Sequence, residues 1–211
     1  MIDSGSRRGR LFVIAAPSGA GKTSLVRALM EREPRLRFSI SYTTRPRRPT
    51  EVHGRDYFFV ERADFEGMVA EGGFLEHARV FDHCYGTARA PVEAALTAGQ
   101  DLILEIDWQG AAQVRRALPE CVSVFILPPS REELERRLRG RGTDAEDVIR
   151  RRLADAAADM THWREFDYVV VNDDFGQALD DLQAVVDGRD PPRARRERAG
   201  LAELAARLTL A

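Results

Sequence analysis

Leu11-Phe12-Val13-Ile14-Ala15 runs directly into Ala16-Pro17-Ser18-Gly19-Ala20-Gly21-Lys22-Thr23. Five consecutive apolar residues closed by proline and glycine read as a strand buried on both faces. Such a strand needs helices on both sides of its sheet, so the run selects an α/β architecture built on a parallel sheet. Lys22–Glu33 then reads as a helix, with Leu25, Leu29 and Met30 as its apolar stripe and Pro34 beyond its end. Strand, glycine-rich turn and a helix opening at Gly-Lys-Thr form the phosphate-binding loop arrangement. Gly19 and Gly21 let backbone N–H groups turn inward, and with the helix N-terminus they cradle anionic oxygens. The expected donor-nucleotide contacts are Ser18, Gly19, Ala20, Gly21, Lys22, Thr23 and Ser24. Lys22 reaches bridging and terminal phosphates, and the Thr23 hydroxyl is offered to Mg²⁺. Ala16 stands where the strict pattern has its first glycine, a substitution that a negative φ tolerates.

Lys22 is the only lysine in the chain; the other 31 of its 32 basic residues are arginine. Guanidinium is a wide planar fork and ammonium a compact point charge, so a position that keeps lysine here implies tight geometry. A net charge of −2 argues against a nucleic-acid footprint. No apolar run approaches the ~20 residues of a membrane span, and Met1–Arg10 lacks the apolar stretch of a signal peptide. Cys84 and Cys121 lack CxxC spacing, and His53, His77, His83 and His162 lack zinc-ligand spacing. A reduced, cytoplasmic protein without a membrane anchor is expected.

Strands are expected at Phe38–Tyr42, Tyr57–Val60, Phe74–Phe81, Tyr85–Thr87, Leu102–Asp107, Val122–Leu127 and Tyr168–Val171. Helices are expected at Ala63–Ala70, from Pro91 as the first helical residue to Ala98, and at Gln109–Leu118, Arg131–Leu138, Asp147–Met160 and Phe175–Val186. Buried strands alternating with helices support the parallel α/β core. Residues 38–87, with short strands and few helices, read as an insertion into it. Glu105 and Asp107 end a buried strand two residues apart, which on a strand puts them on one face. Either can hold Mg²⁺, directly or through water, or orient an attacking oxygen. Arg193–Ala211 reads as an amphipathic helix with Leu201, Leu204 and Leu208 at helical spacing. The sequence leaves open whether that helix packs back on the core or joins subunits into a homodimer or higher homo-oligomer.

Several segments in order resemble the guanylate kinase family: APSGAGKTS at 16–24, SYTTRPRR at 41–48, EVHGRDY at 51–57, Phe74–Glu76, YGT at 85–87, EIDWQG at 105–110, ILPPS at 126–130, RLRGRG at 137–142 and VVNDD at 170–174. The resemblance spans about residues 9–187. It implies transfer of the ATP γ-phosphoryl group to GMP, giving GDP and ADP, with Mg²⁺. It also implies one domain with three parts and a tail: a P-loop core (about 9–37, 88–128 and 158–187), a mixed β-rich GMP-binding insertion (about 38–87) and a helical lid (about 129–157), then a helical tail (188–211).

Within that resemblance Glu76 matches the guanine-reading carboxylate, and Ser41 and Thr87 match hydroxyl positions. Guanine offers N1–H and N2–H₂ donors beside an O6 acceptor, which suits a carboxylate and a hydroxyl. Adenine would leave that carboxylate buried and unpaired. Arg45, Arg48, Tyr57 and Tyr85 match contacts to the acceptor phosphate, for which guanidinium forks are suited. Arg47 carries no matched role. Asp107 is expected at the guanine edge or at metal with Thr23, with Glu105 reaching metal through water. Glu105 stands where many members have Asp, and its extra methylene shifts the carboxylate by roughly 1.5 Å. Arg137, Arg141 and Arg152 resemble lid arginines that stabilise the transferring group, as Lys22 and Arg45 also would. Gly140 and Gly142 fit hinges, and Asn172 an adenine-side position. Two other classes share parts of this pattern. A ribose bisphosphate phosphokinase would lack Glu76 and the SxxTR…YGT constellation. A non-catalytic guanylate-kinase-like binding module would have lost nucleotide-handling residues.

Overall fold

The computed structural model describes residues 7–80, 82–140 and 145–209. In chain order the strands are β1 (Leu11–Ala15), β2 (Arg37–Phe38), β3 (Tyr42–Thr43), β4 (Phe58–Phe59), β5 (Phe74–Val80), β6 (His83–Ala88), β7 (Leu102–Glu105), β8 (Val122–Leu127) and β9 (Tyr168–Val171). The helices are α1 (Lys22–Arg32), α2 (Arg62–Ala70), α3 (Arg89–Thr97), α4 (Trp108–Ala117), α5 (Arg131–Arg139), α6 (Glu146–Met160), α7 (Phe175–Val186) and α8 (Leu201–Thr209). Short 3-10 turns occupy Thr161–Glu165 and Pro192–Ala194.

One sheet has the order β2-β7-β1-β8-β9 and a second the order β4-β3-β6-β5. In the first, β2 pairs with β7 and β8 with β9 in parallel. Arg10 O accepts from Leu102 N and Ile14 O from Ile106 N, so β1 and β7 also advance together. The second sheet is mixed: β3 runs parallel to β4 but antiparallel to β6, which is antiparallel to β5. This is the P-loop α/β fold expected from the sequence, with helices flanking a parallel sheet and a separate β-rich sheet.

The chain divides into two compact units. One holds the segments ending at Phe12, Arg35–Leu104 and Gln109–Cys121; the other holds Val13–Pro34, Glu105–Trp108 and the chain from Val122 onward. In the first, Phe65, Phe74, Val92 and Leu96 are buried, with α2 and α3 packed on β5. In the second, Val13, Ile14, Leu25, Leu29, Phe125, Ile126 and Phe166 form the core, with α1 on α7 and α7 on β9. Here α8 buries Leu201, Ala205 and Leu208 and packs on α6.

Four local readings change. The run Phe38–Tyr42 is two strands, because the chain leaves β7 after Ser39 N donates to Ile103 O and joins β6 at Tyr42. Alternation reports burial, and it is blind to a change of partner. Pro91 is the third residue of α3; any residue of a first helical turn lacks an intrahelical N–H acceptor, so proline fits there as well as at the first position. Strand β7 ends at Glu105, so Asp107 lies beyond it and the two carboxylates do not share a strand face. The tail helix starts at Leu201, because Arg195 forms an antiparallel bridge with Tyr168 instead of entering a helix. Arg141 and Gly142 lie outside the described residues.

Candidate active site

The glycine turn delivers the chain from β1 into α1 through Gly19 and Gly21, at φ 89° and 95°. Both lie in the left-handed region that side chains resist. Space forbids a side chain at Gly21 as well: a Cβ there would sit 2.3 Å from Asn172 Nδ2. Gly21 caps α1 with no side-chain hydrogen bond, so the first-turn amides are left to whatever lies in the loop. Lys22 Nζ donates to Ile106 O at 2.8 Å, just past the end of β7. The Thr23 hydroxyl donates to Glu105 Oε1. The Lys22 ammonium is thus tied at its tip to a carbonyl, a contact that suits a compact point charge better than a planar fork.

Two further elements of the same unit close on this loop. Asn172, 4% exposed, donates from Nδ2 to Ala20 O at 2.8 Å. Arg137 on α5 donates from Nη2 to Asn172 O at 3.0 Å, from Nη1 to Ala20 O at 3.3 Å and from Nε to Glu133 at 2.7 Å. The Arg136 and Arg137 guanidiniums hold the Glu133 carboxyl down at about 2. Leu134 and Leu138 of α5 line the space above Gly19. Arg152 lies half-buried on α6. Lower on α6, Asp159 accepts from Trp108 Nε1 at 3.0 Å, while His162 stacks on the Trp108 ring at 3.4 Å. Burial pushes the Asp159 carboxyl up, against the Trp108 hydrogen bond and with the Asp107 charge adding to the rise.

In the other unit the four-stranded sheet sorts side chains by its register. Thr87 stands opposite Glu76, Tyr42 opposite Gly86, and Tyr42 opposite Phe58. One residue further, the same registers set Ser41 against Thr87 and against Tyr57. Opposed residues share a face, so Thr87 and Glu76 form a row that Ser41 and Tyr57, the residues just before β3 and β4, continue, with Tyr85 two residues away on that face. Thr87 Oγ1 donates to Glu76 Oε1 at 2.6 Å, and both residues are buried. Gly86 is required beside this row, since a Cβ would stand 2.8 Å from the Phe74 ring.

Arg45 extends the row outward. Its Nη2 donates to Glu51 Oε1 at 2.6 Å, and its guanidinium lies 5.5 Å from the Tyr57 ring centroid and 5.8 Å from that of Phe59. The Glu51 hydrogen bond and the Tyr85 hydroxyl raise the Arg45 guanidinium above its ordinary value. The same bond, with the Arg48 amide on Glu51 Oε2 at 2.8 Å, holds the Glu51 carboxyl below its ordinary value against desolvation. Arg48 and Arg47 are exposed.

A sequence model described as guanylate kinase matches residues 8–189. The chain belongs to the guanylate kinase family. It is 60% identical to the guanylate kinase of Methylococcus capsulatus over 179 residues, covering 85% of this chain and 88% of that one. The guanylate kinase of Sodalis glossinidius is 53% identical over 199 residues, 93% of each chain. The crystal structure of guanylate kinase from Anaplasma phagocytophilum matches with a TM-score of 0.72 and 32% identity, over 97% of this chain and 98% of that one. Nothing in these relatives supports a ribose bisphosphate kinase or a non-catalytic binding module.

For a guanylate kinase chain, three of the residues that shape these clusters escaped the sequence reading. Glu51 lies inside EVHGRDY, and its signal was a carboxylate three residues after an arginine-dense turn. Asp159 and His162, which grip Trp108, gave none, because their partner is about fifty residues upstream. No helix among the described residues is long and apolar enough to cross a membrane.

Proposed function

We propose a residue-level division of labour for this guanylate kinase, which transfers the γ-phosphoryl group of ATP to GMP and releases ADP and GDP. The buried Glu76–Thr87 pair, in one row with Ser41 and Tyr57, carries the reading. The Glu76 carboxylate accepts guanine N1–H and N2–H₂, Thr87 holds that carboxylate in place, and the Ser41 hydroxyl donates to O6. Asp107 adds a contact at the guanine edge. Arg45, Arg48, Tyr57 and Tyr85 bind the GMP phosphate, with Glu51 fixing the Arg45 fork so that less rotamer freedom is lost on binding. In this reading residues 38–87 carry the acceptor and 129–157 the lid.

Residues 18–24 hold the ATP phosphates, Lys22 reaching the β- and γ-phosphates, and Asn172 backs the loop on the adenine side. The acceptor phosphate oxygen is anionic at neutral pH, so no general base is needed, and catalysis is positioning plus charge neutralisation. Arg137, Arg141 and Arg152 supply positive charge to the transferring group. Arg137 is held ready by Glu133 and by the Ala20 and Asn172 carbonyls.

The oxygen donors beside the loop suit Mg²⁺, which takes one or two protein oxygens and keeps water and phosphate for the rest. Thr23 and Glu105 form such a pair, and no cluster of three or more metal-binding side chains stands among the described residues. Thr23 would hold the ion directly, with Glu105 through water and Asp107 as the second carboxylate. The ion, when bound, neutralises charge on the β- and γ-phosphates. Cys84 and Cys121, neither of them in a disulfide, fit a reducing, cytoplasmic setting.

A coupled assay of ADP formation with GMP, AMP, CMP and UMP tests the assignment. GMP should exceed AMP by about 10⁴-fold or more in kcat/KM, the discrimination expected of a buried polar site whose partner is missing. Equal turnover with AMP would remove Glu76 from base recognition.

A further inference from the structure

Strand β5 lies at the edge of its sheet, with β6 on one side only. Outward-facing backbone groups of an edge strand have no ladder partner. At His77 that deficit is filled by a side chain. His77 N donates to Gln113 Oε1 at 3.1 Å, and Gln113 Nε2 donates to His77 O at 2.7 Å. A primary amide carries one acceptor and two donors, so it can make both bonds that a neighbouring strand residue would make. Gln113 lies on α4, in the same compact unit as β5.

The bonded residue follows Glu76 directly. The peptide plane that Gln113 holds through His77 N–H begins at the Glu76 carbonyl carbon, so this bond restrains the Glu76 backbone itself. On the other side of Glu76 the strand is irregular. Phe74 pairs with Ala88 and Glu76 with Thr87, so two steps on β5 match one on β6 and Leu75 is the extra residue. A bulge bends its strand, adds twist and re-aims nearby side chains. Glu76 therefore sits between a bulge, which loosens the register, and an amide clamp, which restores it.

We propose that Gln113 is a positioning residue for base recognition, its side-chain amide acting as a surrogate strand that fixes where the Glu76 carboxylate stands. The inference rests on the reading of Glu76 as the guanine-binding carboxylate. It deepens that reading by naming what holds the carboxylate in register. A carboxylate that must meet two base donors at once tolerates little displacement, and a 1 Å error in such a contact costs on the order of 10²-fold.

The test uses the full chain with Gln113→Met and Gln113→Glu. Methionine keeps the reach and removes both bonds; glutamate keeps an acceptor for His77 N–H and loses the donor to His77 O. In Gln113→Met the KM for GMP should rise about tenfold or more, part of the ~10²-fold above, while kcat and the KM for ATP stay within about twofold. The preference for GMP over AMP should fall by a similar factor, with Gln113→Glu between the two. A lowered melting temperature with unchanged KM for GMP and unchanged base preference would make Gln113 a brace of the fold only and overturn the inference. Should Gln113→Met fail to fold, Gln113→Glu decides by the same measurements. Glu76→Gln is assayed in parallel. If it loses guanine preference while both Gln113 variants keep it, the inference alone fails. If Glu76→Gln keeps the preference, the reading beneath it fails too.

Discussion

In the proposed reading, the donor loop and the acceptor face solve the same problem, holding a nucleotide phosphate, by opposite means. The loop is contiguous, mostly backbone, and carries one charged side chain. Its tolerance is set by space: a Cβ at Gly21 would meet Asn172 at 2.3 Å and one at Gly19 would meet Leu134 at 2.9 Å. The acceptor face gathers Ser41, Arg45, Tyr57, Glu76, Tyr85 and Thr87 from separate segments, and its tolerance is set by strand register and side-chain ion pairs. One added methylene or methyl should ruin the first. The second should degrade in steps as its supports are removed.

The sharpest way to break that contrast is Lys22→Arg, which keeps the charge. The wider fork must fit where an ammonium now meets Ile106 O at 2.8 Å, and kcat should fall by about 10³-fold, the scale of a lost transition-state donor. GMP affinity, measured by calorimetry, should stay within about twofold, because uniform substrate binding on the other unit is untouched. Near-normal turnover would make the scarcity of lysine in this chain accidental. Gly21→Ala should come next, combining a positive-φ penalty of about 1 kcal/mol with a steric clash at Asn172. The expected readout is a rise in the KM for ATP larger than any change in the KM for GMP.

The same contrast explains what the sequence made legible. A backbone-built loop must be contiguous, so its glycines, its lysine and the strand before it stand together and can be read without a structure. Strand types followed from local burial. Pairing did not: Phe38–Tyr42 reads as one strand by alternation and is two, in different sheets. Asp107 reads as a strand residue because it closes the largely apolar run from Leu102, but β7 stops at Glu105. The acceptor residues were legible only through the family pattern, since no local period links Ser41 to Thr87. Gln113 and the Trp108–Asp159–His162 group were invisible for the same reason. Their partners are distant in sequence, and a glutamine or a tryptophan on a helix has no local feature that marks it as a clamp.

A middle-sized effect should come from Glu51→Gln. The amide still reaches Arg45 but no longer carries the charge that holds its guanidinium at 2.6 Å. Hydrogen bonds to charged groups contribute about 1.5–3 kcal/mol, and losing part of that orientation should raise the KM for GMP roughly fivefold. The KM for ATP should not move. An equal change in both constants would mean that Glu51 supports the whole fold and not the acceptor phosphate site.

The smallest effects, and the most discriminating in sign, come from two carboxylates shifted in opposite directions. Glu51 is held below its ordinary value by Arg45, so its contribution to stability is complete above 4.5 and is lost as pH falls through the lower folded value. Asp159 is pushed above 3.8 by burial, so its ionised form carries a penalty that is complete above the folded value and vanishes as pH falls to the unfolded one. Glu51→Gln should therefore melt below the parent protein at pH 7, and Asp159→Asn, which keeps an acceptor for Trp108 Nε1, should melt above it. Each difference should be a few degrees, since about 1 kcal/mol moves Tm by roughly 2–4 °C in a domain of this size. Both differences should close on acidification. If Asp159→Asn instead melts below the parent protein at pH 7, the charge on Asp159 is stabilising. The donor unit would then depend on ion-pair support as the acceptor face does, and the contrast between the two would fail at that residue.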